Sequence, residues 1–241
     1  LVILYLIYFK KSIELFEDNI YLKHSQYLNR KLINSEKPKF KLNAICLNLK
    51  NKKKNYDFIQ HEWKDYLNVE RFKALSTATK SHSAILRKIY QNKDKYQFPI
   101  VVMEDDVFRK NNFNKFWNQL FDFKNIDYIT LDCFKLKISK NQPYKNKGFI
   151  KIDKHNSCGF IIYYSHFFNR FSNVEEMLGY IKHPIDINLT YNSKFIKLTP
   201  QKQICQQIVD KISTTRKGKK NTKIYQDYYI QSEKLLSNII L

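Results

Sequence analysis

Residues 98–108 read FPIVVMEDDVF. An unbroken apolar run ends in three adjacent carboxylates, Glu104, Asp105 and Asp106. A strand covered on both faces needs no polar alternation, so FPIVVM predicts a strand of a parallel sheet packed between helices. In open sheets of that kind, ligands bind beyond the carboxyl ends of the strands. The acids stand at that edge. Three neighbouring carboxylates repel one another unless something positive lies among them. Mg²⁺ or Mn²⁺, which prefer hard oxygen ligands and bridge carboxylates to phosphates, meets that need. The plainer reading has Asp105 or Asp106 cap the next helix and leaves the other acids solvated.

Outward from this stretch the pattern alternates. NAICLNL (43–49) reads as a short buried strand, followed by the basic loop 50–55 and a helical stretch near 56–66. Residues 76–93 predict a helix capped by Ser76 or Thr77, with Ala78, His82, Ile85, Leu86 and Ile89 on one face. A helix over 113–123 follows the acids, and strands are predicted at 126–132 and 159–165. Strands separated by helices argue an α/β fold. The division expected is a lead-in at 1–39, a main domain at 40–215, and a basic segment with a terminal helix at 216–241. The run 213–223 is basic and polar and reads as mobile, and 228–241 reads as an amphipathic helix that docks on the body or on a partner.

Composition narrows the function classes. Lys and Arg number 43 against 22 Asp and Glu, a net charge of +21. Such a balance invites a nucleic-acid reading, yet only 6 of the cations are Arg, the better residue for bidentate phosphate and base recognition. Lys, Asn, Ile, Tyr and Phe are abundant together and share AT-rich codons, so the Lys excess is read as a solvated surface. The four cysteines, at 46, 133, 158 and 205, form no C-x-x-C pair and are read as small buried hydrophobes. With 4 Gly in the chain there is neither a P-loop nor a G-x-G-x-x-G turn. The apolar stretch LVILYLIYF (1–9) is shorter than the roughly 20 residues a spanning helix needs. Membrane association through a remnant anchor and a core strand or helix both stay open there.

Several stretches in order, ICLNL, VERFKAL, SHSAILRKI and VVMEDDV, resemble glycosyltransferase family 25, which includes lipopolysaccharide galactosyltransferases and collagen galactosyltransferase-like enzymes. Looser likenesses follow in YITLD, GFIIYYS, HPIDINL and QQIVDKIS, so that the resemblance spans about residues 43–213. It implies a GT-A type nucleotide-sugar-binding fold: a mixed, mostly parallel sheet flanked by helices, taking a UDP-sugar with Mn²⁺ or Mg²⁺. The implied activity is inverting transfer of a hexose, galactose or glucose, to a hydroxyl on a glycan or protein. Glu104 and Asp106 would then hold the metal, and Asp105 the ribose or sugar. Asn48 would meet the nucleotide, and Arg87 would reach the diphosphate or pair with the acids. Asp186 is the candidate base, with Asp132 the runner-up. Asp132 stands where the family prefers Gly, so a catalytically inactive binding module is the alternative, and a nucleic-acid-binding protein the more distant one. His82, on the apolar helix face, is read as a core histidine.

Overall fold

A computed structural model describes residues 38–110, 113–181, 189–207 and 220–240. All of these belong to one unit, Lys37–Leu241. FPIVVM becomes β3 (Ile100–Glu104), with β1 (Leu42–Asn48) parallel on one side. On the other side lies β8 (Phe160–Tyr163), which runs antiparallel. β2 (Leu67–Lys73) extends the sheet beyond β1. Past β8 come β5 (Tyr128–Thr130), β9 (Lys197–Pro200), β7 (Phe149–Asn156) and β6 (Phe134–Ile138). The eight strands follow the order β2-β1-β3-β8-β5-β9-β7-β6. β2, β1, β3, β5 and β9 point one way, with β8 and β7 against them. The fold is α/β, with a mixed sheet flanked by helices. A separate antiparallel pair joins β4 (Val107–Arg109) to β10 (Cys205–Gln207).

The absence of polar alternation in β3 has a direct cause. Val101 and Met103 enter one apolar cluster with Trp63, Phe113 and Trp117, while Ile100 and Val102 enter a second with Ile85, Ile89 and Phe167. The first cluster is covered by α1 (Lys53–Trp63) and α3 (Phe113–Trp117). The second is covered by α2 (Ala78–Gln91), α4 (Ser165–Asn169) and α5 (Val174–Tyr180). Thr77 caps α2, its Oγ1 accepting the amide of Lys80 at 3.1 Å, and Ser81, His82, Ile85, Leu86 and Ile89 form its buried face. Each large apolar side chain so buried contributes roughly 1.5–3 kcal/mol. All four cysteines are buried and free.

The terminal helix, α6 (Lys220–Ile240), begins inside the basic run, eight residues before the sequence pattern marks it. Its Leu236 is buried against Ile150 and Ile152, and Tyr229 packs edge-on to Phe134 at 5.4 Å. Of the remaining expectations, those on residues 1–37 and 213–219 and on Asp186 lie outside the described residues. No helix among the described residues is long and apolar enough to cross a membrane.

Candidate functional site

Strand register assembles the site. Leu47 of β1 lies beside Glu104 of β3, so the next residues, Asn48 and Asp105, emerge together at the carboxyl edge. On the other flank Met103 faces Phe160, and Thr130 of β5 faces Ile161. Continuing both ladders brings Glu104 and Asp132 to either side of Gly159; Glu104 N donates to Gly159 O at 2.8 Å. Gln207 of β10 is paired opposite Val107, which sets it next to Asp106.

The side chains fill in this frame. Gln207 Nε2 donates to Glu104 Oε2 at 2.7 Å and reaches Asp106 Oδ1 at 3.4 Å. Asp132 is fully buried. Its Oδ2 accepts from Ser157 Oγ at 2.6 Å, and its Oδ1 accepts from the Tyr229 hydroxyl, brought in by α6. Ser157 has φ 92°, a left-handed conformation that costs a non-glycine residue of order 1–3 kcal/mol and tends to persist at functional sites. Asn48 donates to Asp105 Oδ2 and, at 2.7 Å, to the carbonyl of Lys52; its own Oδ1 accepts from Arg71 Nε at 2.7 Å. His82 is buried, with Nε2 3.3 Å from Glu104 Oε1. The core histidine of the sequence reading thus also touches the site.

Gly159 is required by close approach. A Cβ there would lie 2.4 Å from Asp132 Oδ2 and 2.9 Å from Gln207 Cγ and Cδ. The electrostatics are those of acids held together by the fold. Burial pushes the Asp106 carboxyl well above the usual range, and Glu104, Asp105 and Asp132 push it further, against the Gln207 hydrogen bond. Burial raises Asp132 to about 6, although the Ser157 and Tyr229 hydroxyls hold it down. Asp105 is raised by burial, opposed by its bond from Asn48.

Glu104, Asp105, Asp106, Asp132 and Asn48 are therefore brought together. Arg87 is not with them. It lies on the outer side of α2, its Nη1 2.8 Å from Glu175 Oε1 of α5, so the expected pairing with the acids gives way to a surface ion pair. The register that aims residue 82 at β3 turns residue 87 away, five positions further along α2. Gln207, Ser157, Tyr229 and Gly159 are site residues that sequence patterning did not single out for a role.

Among the described residues, no three His, Cys, Asp or Glu side chains form a group that could hold a metal ion by themselves. The donor set suits a different arrangement. Glu104 and Asp106 present hard oxygens to one shared neutral amide, and Gly159 leaves room for the Gln207 and Asp132 side chains that pack beside it. Mg²⁺ and Mn²⁺ sites are commonly built from one or two carboxylates and completed by substrate phosphates and water. Two carboxylates of that kind, Glu104 and Asp106, share the Gln207 amide here.

No protein-family model matches the chain, and no curated protein matches it in sequence. Among solved structures the chain is similar to A197 from STIV, with a TM-score of 0.48 and 10% identity over 71% of this chain and 87% of that one.

Proposed function

We propose that the chain is a metal-dependent glycosyltransferase of GT-A type, akin to family 25, that moves a hexose from a UDP-sugar to a hydroxyl of a glycan or protein acceptor with inversion. One observation carries this reading. At the carboxyl edge of the parallel strands, the register gathers Glu104, Asp105, Asp106 and Asp132 around a glycine, in so basic a chain. Carboxylates with raised proton affinity, held together against their repulsion, suit a site completed by a cation and a diphosphate.

Glu104 and Asp106 would hold Mn²⁺ or Mg²⁺, which supplies Lewis-acid stabilisation of the departing diphosphate. Asp105, fixed by Asn48, is oriented for a ribose or sugar hydroxyl, and Arg71 in turn fixes Asn48. Asp132 is enclosed and accepts two hydroxyl hydrogen bonds, so it serves as a support behind the pair rather than as the group that takes the acceptor's proton. The candidate for taking that proton is Asp186, which lies outside the described residues.

A second reading is favoured by the Gln207 amide and the Tyr229 hydroxyl, which satisfy the acids without any ligand. It makes the chain an inactive binding module of the same fold. Incubation with UDP-galactose and UDP-glucose in Mn²⁺, with and without a chelator, tests the first reading. Chelator-sensitive release of UDP, lost in Asp106→Ala, is the expected result. UDP binding without turnover would favour the second reading, and neither binding nor turnover would remove the first.

A further inference from the structure

β6 is an edge strand of the sheet, and its register against β7 is irregular. Phe134 faces Asn156 and Ile138 faces Ile152, two pairings that share one register. In that register Lys137 would stand opposite Asp153, a favourable cross-strand ion pair. The strand shifts on either side of Lys137 and sets it opposite Lys154 instead. Like charges directly opposite one another are destabilising, and irregularities of this kind re-aim side chains. Lys135, two positions earlier, is held at φ 52°, in the left-handed region that a lysine seldom occupies. All three lysines are exposed. None of them pairs with a carboxylate among the described residues, whereas Lys88 pairs with Glu70 and Lys110 with Glu233.

Two tyrosines stand among these cations. The Lys154 ammonium lies over the Tyr191 ring at 4.8 Å, and the Tyr191 hydroxyl donates to Asn156 Oδ1 at 3.1 Å. The Lys135 ammonium lies over the Tyr228 ring of α6 at 4.0 Å. Tyr191 remains 40% exposed. Surfaces that take single-stranded nucleic acid combine cations that follow the phosphates with aromatic rings on which bases stack. We propose that the β6–β7 edge, through Lys135, Lys137, Lys154 and Tyr191, binds single-stranded nucleic acid. Charge complementarity selects a polyanion, and the exposed ring selects one that carries bases. Lysines and a ring offer no fixed pattern of donors and acceptors to base edges, so the binding tolerates any sequence. β6 lies at the opposite edge of the sheet from β2, and this face does not depend on a cation at the end of β3.

Fluorescence anisotropy of a dye-labelled oligothymidylate, titrated with the full chain over a series of salt concentrations, tests this. Wild type is expected to bind with an affinity that falls steeply with salt. Lys137→Gln with Lys154→Gln should flatten the slope of log affinity against log salt by about 1.4, the loss of two single-strand phosphate contacts. The matched pair Lys115→Gln with Lys124→Gln, exposed on α3 and beyond the 3₁₀ turn, should leave that slope as in wild type. Tyr191→Ala should weaken binding about 5- to 150-fold at unchanged slope, as for one lost stacked base. No flattening in the first pair, or equal flattening in both pairs, overturns the proposal. So does the absence of binding by wild type at low salt, or Tyr191→Ala binding as tightly as wild type. If Tyr191→Ala does not fold, competition on wild type decides. An unlabelled oligonucleotide is expected to displace the probe better than polyphosphate of the same charge, and equal displacement overturns the proposal.

Discussion

Asp132 is a carboxyl held buried among other acids. It is fully buried, and burial raises its carboxyl from 3.8 to about 6 despite two hydroxyl donors. A carboxyl whose folded value lies above its unfolded value binds protons more tightly in the folded protein. Its contribution to stability is therefore favourable below about 4 and is lost as pH rises through about 6, a swing of about 3 kcal/mol. In urea unfolding, the stability difference between wild type and Asp132→Asn should move in favour of the variant by about that much from pH 4 to pH 7. A difference that ignores pH would contradict the burial of the charge. Arg87 stands at the other extreme. Its ion pair with Glu175 is exposed, so Arg87→Ala should change stability by at most about 1 kcal/mol. Mn²⁺ and UDP titrations of this variant should match wild type, and weakened UDP binding would return Arg87 to the site. The acids of 104–106 were legible in the sequence because strand and acids are contiguous. Gln207 and Tyr229 were not, because their places depend on pairings across 103 and 97 residues.

Among the elements, α6 links the far edge of the sheet to the site. Most helical stability in proteins comes from tertiary packing, and this helix packs through Tyr229 and Leu236. Leu236→Ala should cost about 2–3 kcal/mol locally, and Tyr229→Phe, which strips a partner from a buried carboxylate, about 1–3 kcal/mol. Hydrogen exchange should show α6 amides exchanging faster in both variants while β1 and β3 keep their protection. Equal loss in all three elements would mean that the helix is not a separable unit. Strands β1, β3 and β8 and helix α2 were legible from apolar runs and a capped apolar face. β6 and β7 were missed, though FKLKI and FIKIDKHN alternate with period two, as half-covered strands do. The helix predicted at 113–123 shortens to Phe113–Trp117 and a 3₁₀ turn at Leu120–Asp122, because the ring of Phe123 is drawn against Phe149 instead of continuing a helical face. β4 and β10, three residues each, carry no pattern of their own and exist through each other.

At the scale of the whole molecule, a chain with a charge of +21 concentrates four of its 22 acids at one sheet edge. A strongly basic chain attracts anions at long range, and on the proposed reading a cation at the acidic edge would select among them. Polyanions held by the surface alone would lose affinity steeply with added salt, whereas a diphosphate held through a cation depends on the metal first. UDP titrated by calorimetry into the full chain, in Mn²⁺ and again in excess chelator at constant ionic strength, separates these cases. Binding that appears with Mn²⁺, vanishes with chelator and is lost in Asp106→Ala is the expected result. UDP that binds equally well without the metal, or does not bind at all, would contradict a cation-held diphosphate at the end of β3.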